Sequence, residues 1–493
     1  MTNRRDFLKK AGLGSAAIAG SAFISKDEMG EANPKPFISK KKLNILYFVC
    51  HDLGKHLGCY GAPVLSPNLD AFAAAGIKFN LSYCTSPASS PSRMCAMTGK
   101  YAHVSGGLGL AHMGWNLAQN QKTVVDYLND AGYETAHMGL NHERHAGTNH
   151  YQIDEEKHWD DWDAKNAVDK AIAYLKNRQD KTNPFYLNVG THDVHASKWN
   201  KSLYKDYGGP VPNDSVYVPN YWFDHHGTRK ELAKFQAAIK YLDTHFGRLI
   251  KALDESEYAN NTVVIFTTDH GIAGNRSKGS LYDRGTEIAL MMRLPEGYNK
   301  GMVVDDLVPN IDYAPTILDI AGIVKPADLN GRSFWPLLCG RGYTPNENIF
   351  TERNYHGEKA YHGAKDFIDK YDPTRSVRTK RYHYIRWYDP ETKHRPWLPW
   401  ELSGELLNNK EDATIDTILP EAMYPRNKEE LYDVEKDPGE FINLANHAEY
   451  ASVKKELSDT LDEWMKATND HVLRGEIPVA PDKPGWGPWE GMK

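Results

Sequence analysis

Asn44-Ile45-Leu46-Tyr47-Phe48-Val49 runs without a polar break from Ile45 onward and gives way at once to Cys50-His51-Asp52-Leu53-Gly54. A short, continuous apolar run is the pattern of a strand covered on both faces, and the polar turn after it sits at the strand's carboxyl end. Four further runs read the same way: 134–138, 185–189, 262–267 and 288–293. Helical periodicity fills the gaps at 122–131, 164–178, 229–253 and 313–321. An earlier helix opens at Ser66-Pro67-Asn68, with Ser66 as N-cap and proline at the first position, and Gly76 closes it. Strands alternating with helices predict an α/β fold, a large mainly parallel sheet sandwiched by helices. Sites in such sheets form at the carboxyl ends of the strands. Past about residue 345 the pattern shifts to short strand-like pieces around 378–387, an amphipathic helix at 451–468 and a tail rich in Pro, Gly and Trp. This predicts a domain over 43–345 and a smaller C-terminal α+β subdomain over 346–493.

The chain has 493 residues, 40% hydrophobic and 25% charged, which suits a large buried core and argues against long disorder. Its formal charge of −6 excludes a nucleic-acid partner held by a broad basic surface. Five cysteines without a CxxC pair rule out a disulfide framework. No apolar run is long enough for a stable membrane span. Residues 1–24 hold Arg4-Arg5 before Phe7-Leu8-Lys9 and a mildly apolar stretch, which resembles a twin-arginine export signal and points to the periplasm. Residues 25–42 read as a linker.

Chemistry-bearing residues collect after the predicted strands. His51-Asp52 follows the first, and Asp269-His270 follows 262–267. Carboxylate oxygens and imidazole nitrogens are natural cation ligands, so these two pairs are expected to converge on one metal ion. Ser89-Ser90-Pro91-Ser92-Arg93 places Ser89 at a helix N-terminus, where backbone N–H groups and the dipole favour an anion, with Arg93 one turn on. His142 follows 134–138, and His192 and His195 follow 185–189; group transfer needs such acids and bases.

The run Ser89-x-Pro91-Ser92-Arg93, followed by Thr98-Gly99, resembles the signature of the formylglycine-dependent sulfatases within the alkaline-phosphatase-like superfamily. His51-Asp52-Leu53-Gly54, Gly132-Tyr133-Glu134-Thr135 through His142, and Lys278-Gly279-Ser280-Leu281-Tyr282 resemble its other landmarks. The stretch 185–195 and the segment around Lys278 look most like the heparan N-sulfatase branch. The resemblance implies that 43–345 is the catalytic sulfatase domain and that Ser89 is oxidised to formylglycine (3-oxoalanine) by a maturation enzyme. It implies one calcium ion held by His51, Asp52, Ser89, Asp269 and His270, with Arg93 stabilising the nucleophile. Lys278 would grip the sulfate and His192 contact the substrate. His195 would protonate the leaving group, and His142 would deprotonate the second hydroxyl. The implied substrate is a sulfated oligosaccharide or polysaccharide, heparan-like or ulvan-like, met in polysaccharide degradation.

Two positions depart from the family pattern: His51 stands where an aspartate is usual, and Leu140 where a lysine is usual. Arg144 and His145 are near enough in sequence to stand in for that lysine. Two other readings compete, a phosphoesterase using unmodified Ser89 and an inactive binder of sulfated glycans.

Overall fold

The computed structural model describes residues 42–144, 150–155, 162–196, 209–222, 224–274, 276–359, 367–390, 426–478 and 480. The export-signal segment, nearly all of the linker, and His145 lie outside the described residues. The larger sheet is built from β1 (Asn44–Cys50), β2 (Ile77–Tyr83), β3 (Glu134–Gly139), β4 (Ile153–Asp154), β5 (Phe185–Thr191), β6 (Thr262–Thr268), β7 (Leu290–Arg293) and β8 (Met302–Pro309), in the spatial order β4-β3-β5-β1-β6-β7-β2-β8. Every neighbouring pair is parallel except those made by β7, which runs against both β6 and β2. The mainly parallel α/β sheet expected from the sequence is therefore present. Because β7 is reversed between them, β2 and β6 point the same way and deliver their carboxyl ends to one edge.

The apolar run of β1 explains itself in three dimensions. Leu46, Phe48 and Cys50 enter one core layer, under α4 (Ala164–Asn177) and α5 (His226–Asp254). Ile45, Tyr47 and Val49 enter the opposite layer, under α2 (Ser89–Thr98), α3 (Val124–Asp130) and α6 (Tyr313–Ile320). Successive side chains leave a strand on opposite faces, so a strand with helices on both sides must be apolar throughout. Each such buried aliphatic or aromatic side chain contributes about 1.5–3 kcal/mol. The first helix, α1 (Pro67–Ala75), starts as expected at Pro67, but Ser66 makes no side-chain cap. Its hydroxyl instead accepts from Gly58 N–H and donates to Asp70, tying the preceding loop to the helix.

A second, antiparallel sheet follows in the order β12-β11-β10-β9, from β9 (Ile349–Lys359), β10 (Phe367–Arg378), β11 (Tyr382–Trp387) and β12 (Glu429–Asp433). Helix α7 (Ala451–Ala467) packs Leu457, Leu461, Trp464 and Met465 against Val377, Tyr384 and Leu431 of that sheet. The same cluster includes Cys95 of α2, Tyr101 and Ile311, so the second sheet shares a core with the helix layer over the larger one. No helix among the described residues is long and apolar enough to cross a membrane.

Candidate active site

Four adjacent strands, β3, β5, β1 and β6, end side by side and supply His142, His192 with His195, His51 with Asp52, and Asp269 with His270 in that order. Close approach of these loops demands small residues behind them. A Cβ on Gly190 would sit 1.9 Å from Leu140 O, and one on Gly271 would sit 1.9 Å from Arg284 O. Asp52 and His142 hold left-handed backbone, φ 48° and 55°, a strain of roughly 1–3 kcal/mol each that recurs at functional positions.

His51, Asp52, Asp269 and His270 form one buried cluster whose ligand atoms all lie within 4.8 Å of one another. His51 Nδ1 is 2.5 Å from Asp52 Oδ1 and 3.5 Å from Asp269 Oδ2. His270 Nε2 is 3.3 Å from Asp52 Oδ1 and 3.1 Å from Ser89 Oγ. Asp269 Oδ1 accepts from the backbone N–H groups of Asp52 and His270, at 3.0 and 2.9 Å. Ser89 is the buried first residue of α2, a ten-residue helix aimed N-terminus first at the cluster through that contact. Ser92 anchors the helix by donating to Asp269 O, and Asn310 holds Ser92 in place from Nδ2 at 3.0 Å.

Two cations face the two carboxylates. Arg93 Nε donates to Asp269 Oδ2 at 3.2 Å, and its Nη2 has no hydrogen-bond partner among the described residues. Lys278 Nζ bonds both oxygens of Asp52, at 2.9 and 3.0 Å. Around them the imidazoles crowd together: His51 lies 4.9 Å from His192 and 4.7 Å from His195, centroid to centroid, and His195 Nε2 is 3.9 Å from Asp52 Oδ2. Burial, then the neighbouring His195 and the Lys278 ammonium, hold His51 well below the usual histidine range. Burial and Lys278 do the same to His195; burial and His112 do it to His142. All three are neutral at pH 7.

An alcohol on a helix N-terminus, beside a metal-type cluster whose carboxylates bond two fixed cations, is arranged to receive a tetrahedral anion. The family comparison agrees: the sulfatase family model matches residues 44–323, more than half of the chain. The chain belongs to the sulfatase family. Sulfatases hydrolyse sulfate esters, and this one carries in addition a match over residues 270–412 to the model described as N-sulphoglucosamine sulphohydrolase, C-terminal, as its resemblance to that branch implies. An ulvan-active sulfatase of Formosa agariphila is 29% identical over 453 residues, covering 89% of this chain and 83% of the relative. Human N-sulphoglucosamine sulphohydrolase is 25% identical, covering 87% and 90%. A solved 2-O GAG sulfatase superposes with a TM-score of 0.66 at 22% identity, covering 90% of this chain and 96% of that one. The fold is that of the alkaline-phosphatase-like sulfatases.

The structure gathers Ser89, Arg93, Lys278, the His51–Asp52 and Asp269–His270 pairs, His142, His192 and His195 around this edge of the sulfatase's sheet. One expectation needs correction. Arg144 does not replace the lysine absent at Leu140, because its Nη2 donates to Asp126 Oδ2 at 3.0 Å at the start of α3. Leu140 itself is fully buried. Three neighbours escaped the sequence reading. His112 stacks 5.9 Å from His142, Trp162 sits 5.7 Å from His142 and 5.6 Å from His192, and Asn310 bridges Thr85 to Ser92. Neither His112 nor Trp162 follows an apolar strand run, the signal that marked the other histidines, and Asn310 follows β8, whose run Asp305 and Asp306 interrupt.

Proposed function

We propose that this sulfatase removes sulfate from a sulfated carbohydrate with Ser89, converted to formylglycine, as its nucleophile. The observation that carries the reading is the convergence of Ser89 Oγ on His270 Nε2 at 3.1 Å, with Arg93 and Lys278 bonded to the adjoining carboxylates. The hydrate of the aldehyde carries two hydroxyls on one carbon, one to attack sulfur and one whose deprotonation expels sulfate and restores the aldehyde, an exit that plain serine lacks.

The chain's own groups take the remaining work. The first turn of α2 and the spare Arg93 Nη2 offer N–H donors to the sulfuryl oxygens, where charge gathers. Neutral His142, with Nδ1 unbonded among the described residues, is suited to act as a base on the second hydroxyl. His195 donates a proton to the leaving oxygen or nitrogen. The negative charge of a bound sulfate offsets Lys278 and so raises His195 toward protonation as substrate arrives. His192, 4.6 Å from His195 between centroids, contacts the sugar. The resemblance implies calcium held by Ser89 together with the His51–Asp52–Asp269–His270 cluster. Two of those five donors are imidazoles, which do not suit calcium, and no step here runs through it.

Relatives named for activity on ulvan, N-acetylglucosamine 6-O-sulfate and N-sulphoglucosamine support a sugar sulfate or sulfamate as substrate. Paired arginines at the start of the chain support export to the periplasm after maturation in the cytoplasm. Peptide mass spectrometry across residues 84–100, combined with a panel of sulfated oligosaccharides and an aryl phosphate, tests the proposal. Aldehyde at position 89 and release of sulfate alone are expected. Full activity with unmodified Ser89, or turnover of the phosphate only, sinks it.

A further inference from the structure

We infer that the cation site is built for a divalent first-row transition ion of the zinc class and not for calcium. The inference rests on the sulfatase reading and deepens it by naming the ion of that same site. Calcium collects six to eight oxygen ligands, and its affinity follows the count of ligand charges. This cluster supplies two carboxylates and two imidazoles. Both carboxylates are already engaged by cations: Lys278 takes both oxygens of Asp52, and Arg93 takes Oδ2 of Asp269. Two negative charges facing two positive ones leave little Coulombic hold on a hard ion. An imidazole lone pair does not depend on that balance, and it is the preferred donor for zinc, iron, nickel and copper.

The second layer of contacts strengthens the argument. His270 Nδ1 lies 2.9 Å from the carbonyl of Gly271, which can only accept. The proton therefore resides on Nδ1, and Nε2 turns its lone pair towards Ser89 Oγ and Asp52 Oδ1. A ligand histidine oriented by a backbone carbonyl through its other nitrogen is the usual support of a transition-metal site. Two separations fit as well: 3.3 Å from His270 Nε2 to Asp52 Oδ1 and 3.5 Å from His51 Nδ1 to Asp269 Oδ2 match the edge, about 3.3 Å, of a tetrahedron with metal bonds of ~2.0–2.1 Å, while His51 Nδ1 and Asp52 Oδ1, 2.5 Å apart, must part to share the ion. A neighbouring trio, His51, His192 and His195, shares His51 with this set, so one ion per chain is expected.

The test is a titration of chelator-stripped full-length protein with Co2+, followed by visible absorption, with Zn2+ and Ca2+ as competitors. One equivalent of Co2+ should bind and give the strong visible bands of a low-coordinate, nitrogen-containing site. Zn2+ should displace it at stoichiometric concentration, and Ca2+ should fail to do so at a hundredfold excess. In the double variant His51→Asp, His270→Asn, Co2+ affinity should fall about 10- to 100-fold and calorimetric Ca2+ affinity should rise. Circular dichroism confirms that the variant folds, and the unmodified protein alone decides the main point. Displacement of Co2+ by equimolar Ca2+, or sulfate release sustained by Ca2+ with no transition metal bound, overturns the inference and leaves the sulfatase reading standing. Tight Co2+ uptake by protein that releases no sulfate upholds the ion assignment while that reading fails.

Discussion

Two buried groups of acids and histidines in this molecule look alike in composition and behave in opposite ways. At the junction of the two sheets, Asp283, His383 and Glu440 lie close enough to hold an ion, as do His51, Asp52, Asp269 and His270 at the strand ends. In the junction group every polar atom is answered within the protein. Arg378 donates to both oxygens of Asp283 at 3.1 and 2.8 Å, Glu440 accepts from Asp283 N at 2.6 Å and pairs with His383 Nδ1 at 2.6 Å, and His383 Nε2 meets Ser376 Oγ at 3.0 Å. Although burial opposes it, Arg378 holds the Asp283 carboxyl down to about 2. The strand-end group is bonded incompletely: Arg93 Nη2 and His142 Nδ1 lack partners among the described residues, and several imidazoles are kept neutral by burial. A saturated network stabilises a junction, whereas leftover donors and lone pairs are what a substrate or an ion completes.

The largest expected effect breaks the comparison on the catalytic side. Ser89→Ala should lower kcat by on the order of 10^5-fold, with Tm shifted by no more than about 2 °C, since one hydroxyl contact is lost. Calorimetry beside sulfate release checks both halves; a collapsed fold would place Ser89 with the structural group. Next, His195→Ala should cost about 10^2- to 10^4-fold with an alkyl sulfate, and much less with an aryl sulfate whose leaving group needs no proton. Equal losses on both would remove His195 as the acid. On the structural side, Arg378→Ala strands Asp283 and should cost about 3–5 kcal/mol in denaturant unfolding, with kcat per folded molecule nearly unchanged.

The smallest effect is a pH slope. Burial pushes His56 and His245 down to about 4 in the folded chain, against about 6.5 when unfolded. The unfolded chain therefore binds the proton first as pH falls. Their stabilising effect is full above pH 6.5 and is lost progressively towards pH 4. The urea midpoint should drop between pH 7 and pH 5, and His245→Gln should flatten that drop. A midpoint unchanged over this interval contradicts the burial of these rings.

Strand positions on the large sheet were legible because burial on both faces forces an unbroken apolar run, as in 45–49 and 262–267, where the structure places β1 and β6. Reading Ile288–Arg293 as one more strand located β7 near its true span but said nothing of its reversal, since pairing direction leaves no local mark. The strand β2, Ile77–Tyr83, was missed; it alternates polar Lys78 and Asn80 with apolar neighbours and covers only part of its surface. The antiparallel sheet was legible mainly around 378–387, because its other strands carry arginines and acids that become internal only by mutual pairing, such as Arg375 with Asp470 at 2.6 Å.

Local pattern alone determined that this chain makes a helix-covered sheet, that Ser89 opens a helix, and that acids and histidines crowd the strand ends. Those are consequences of periodicity, proline and turn chemistry acting over a few residues. Tertiary structure decided which of those residues meet. Asp52 and Asp269, 217 positions apart, share a hydrogen bond because β1 and β6 are neighbours in one register. Arg144 turned away to Asp126, while Lys278, distant in sequence, settled on Asp52. Partner choice among charged side chains is settled by desolvation and distance, and both exist only once the chain is packed.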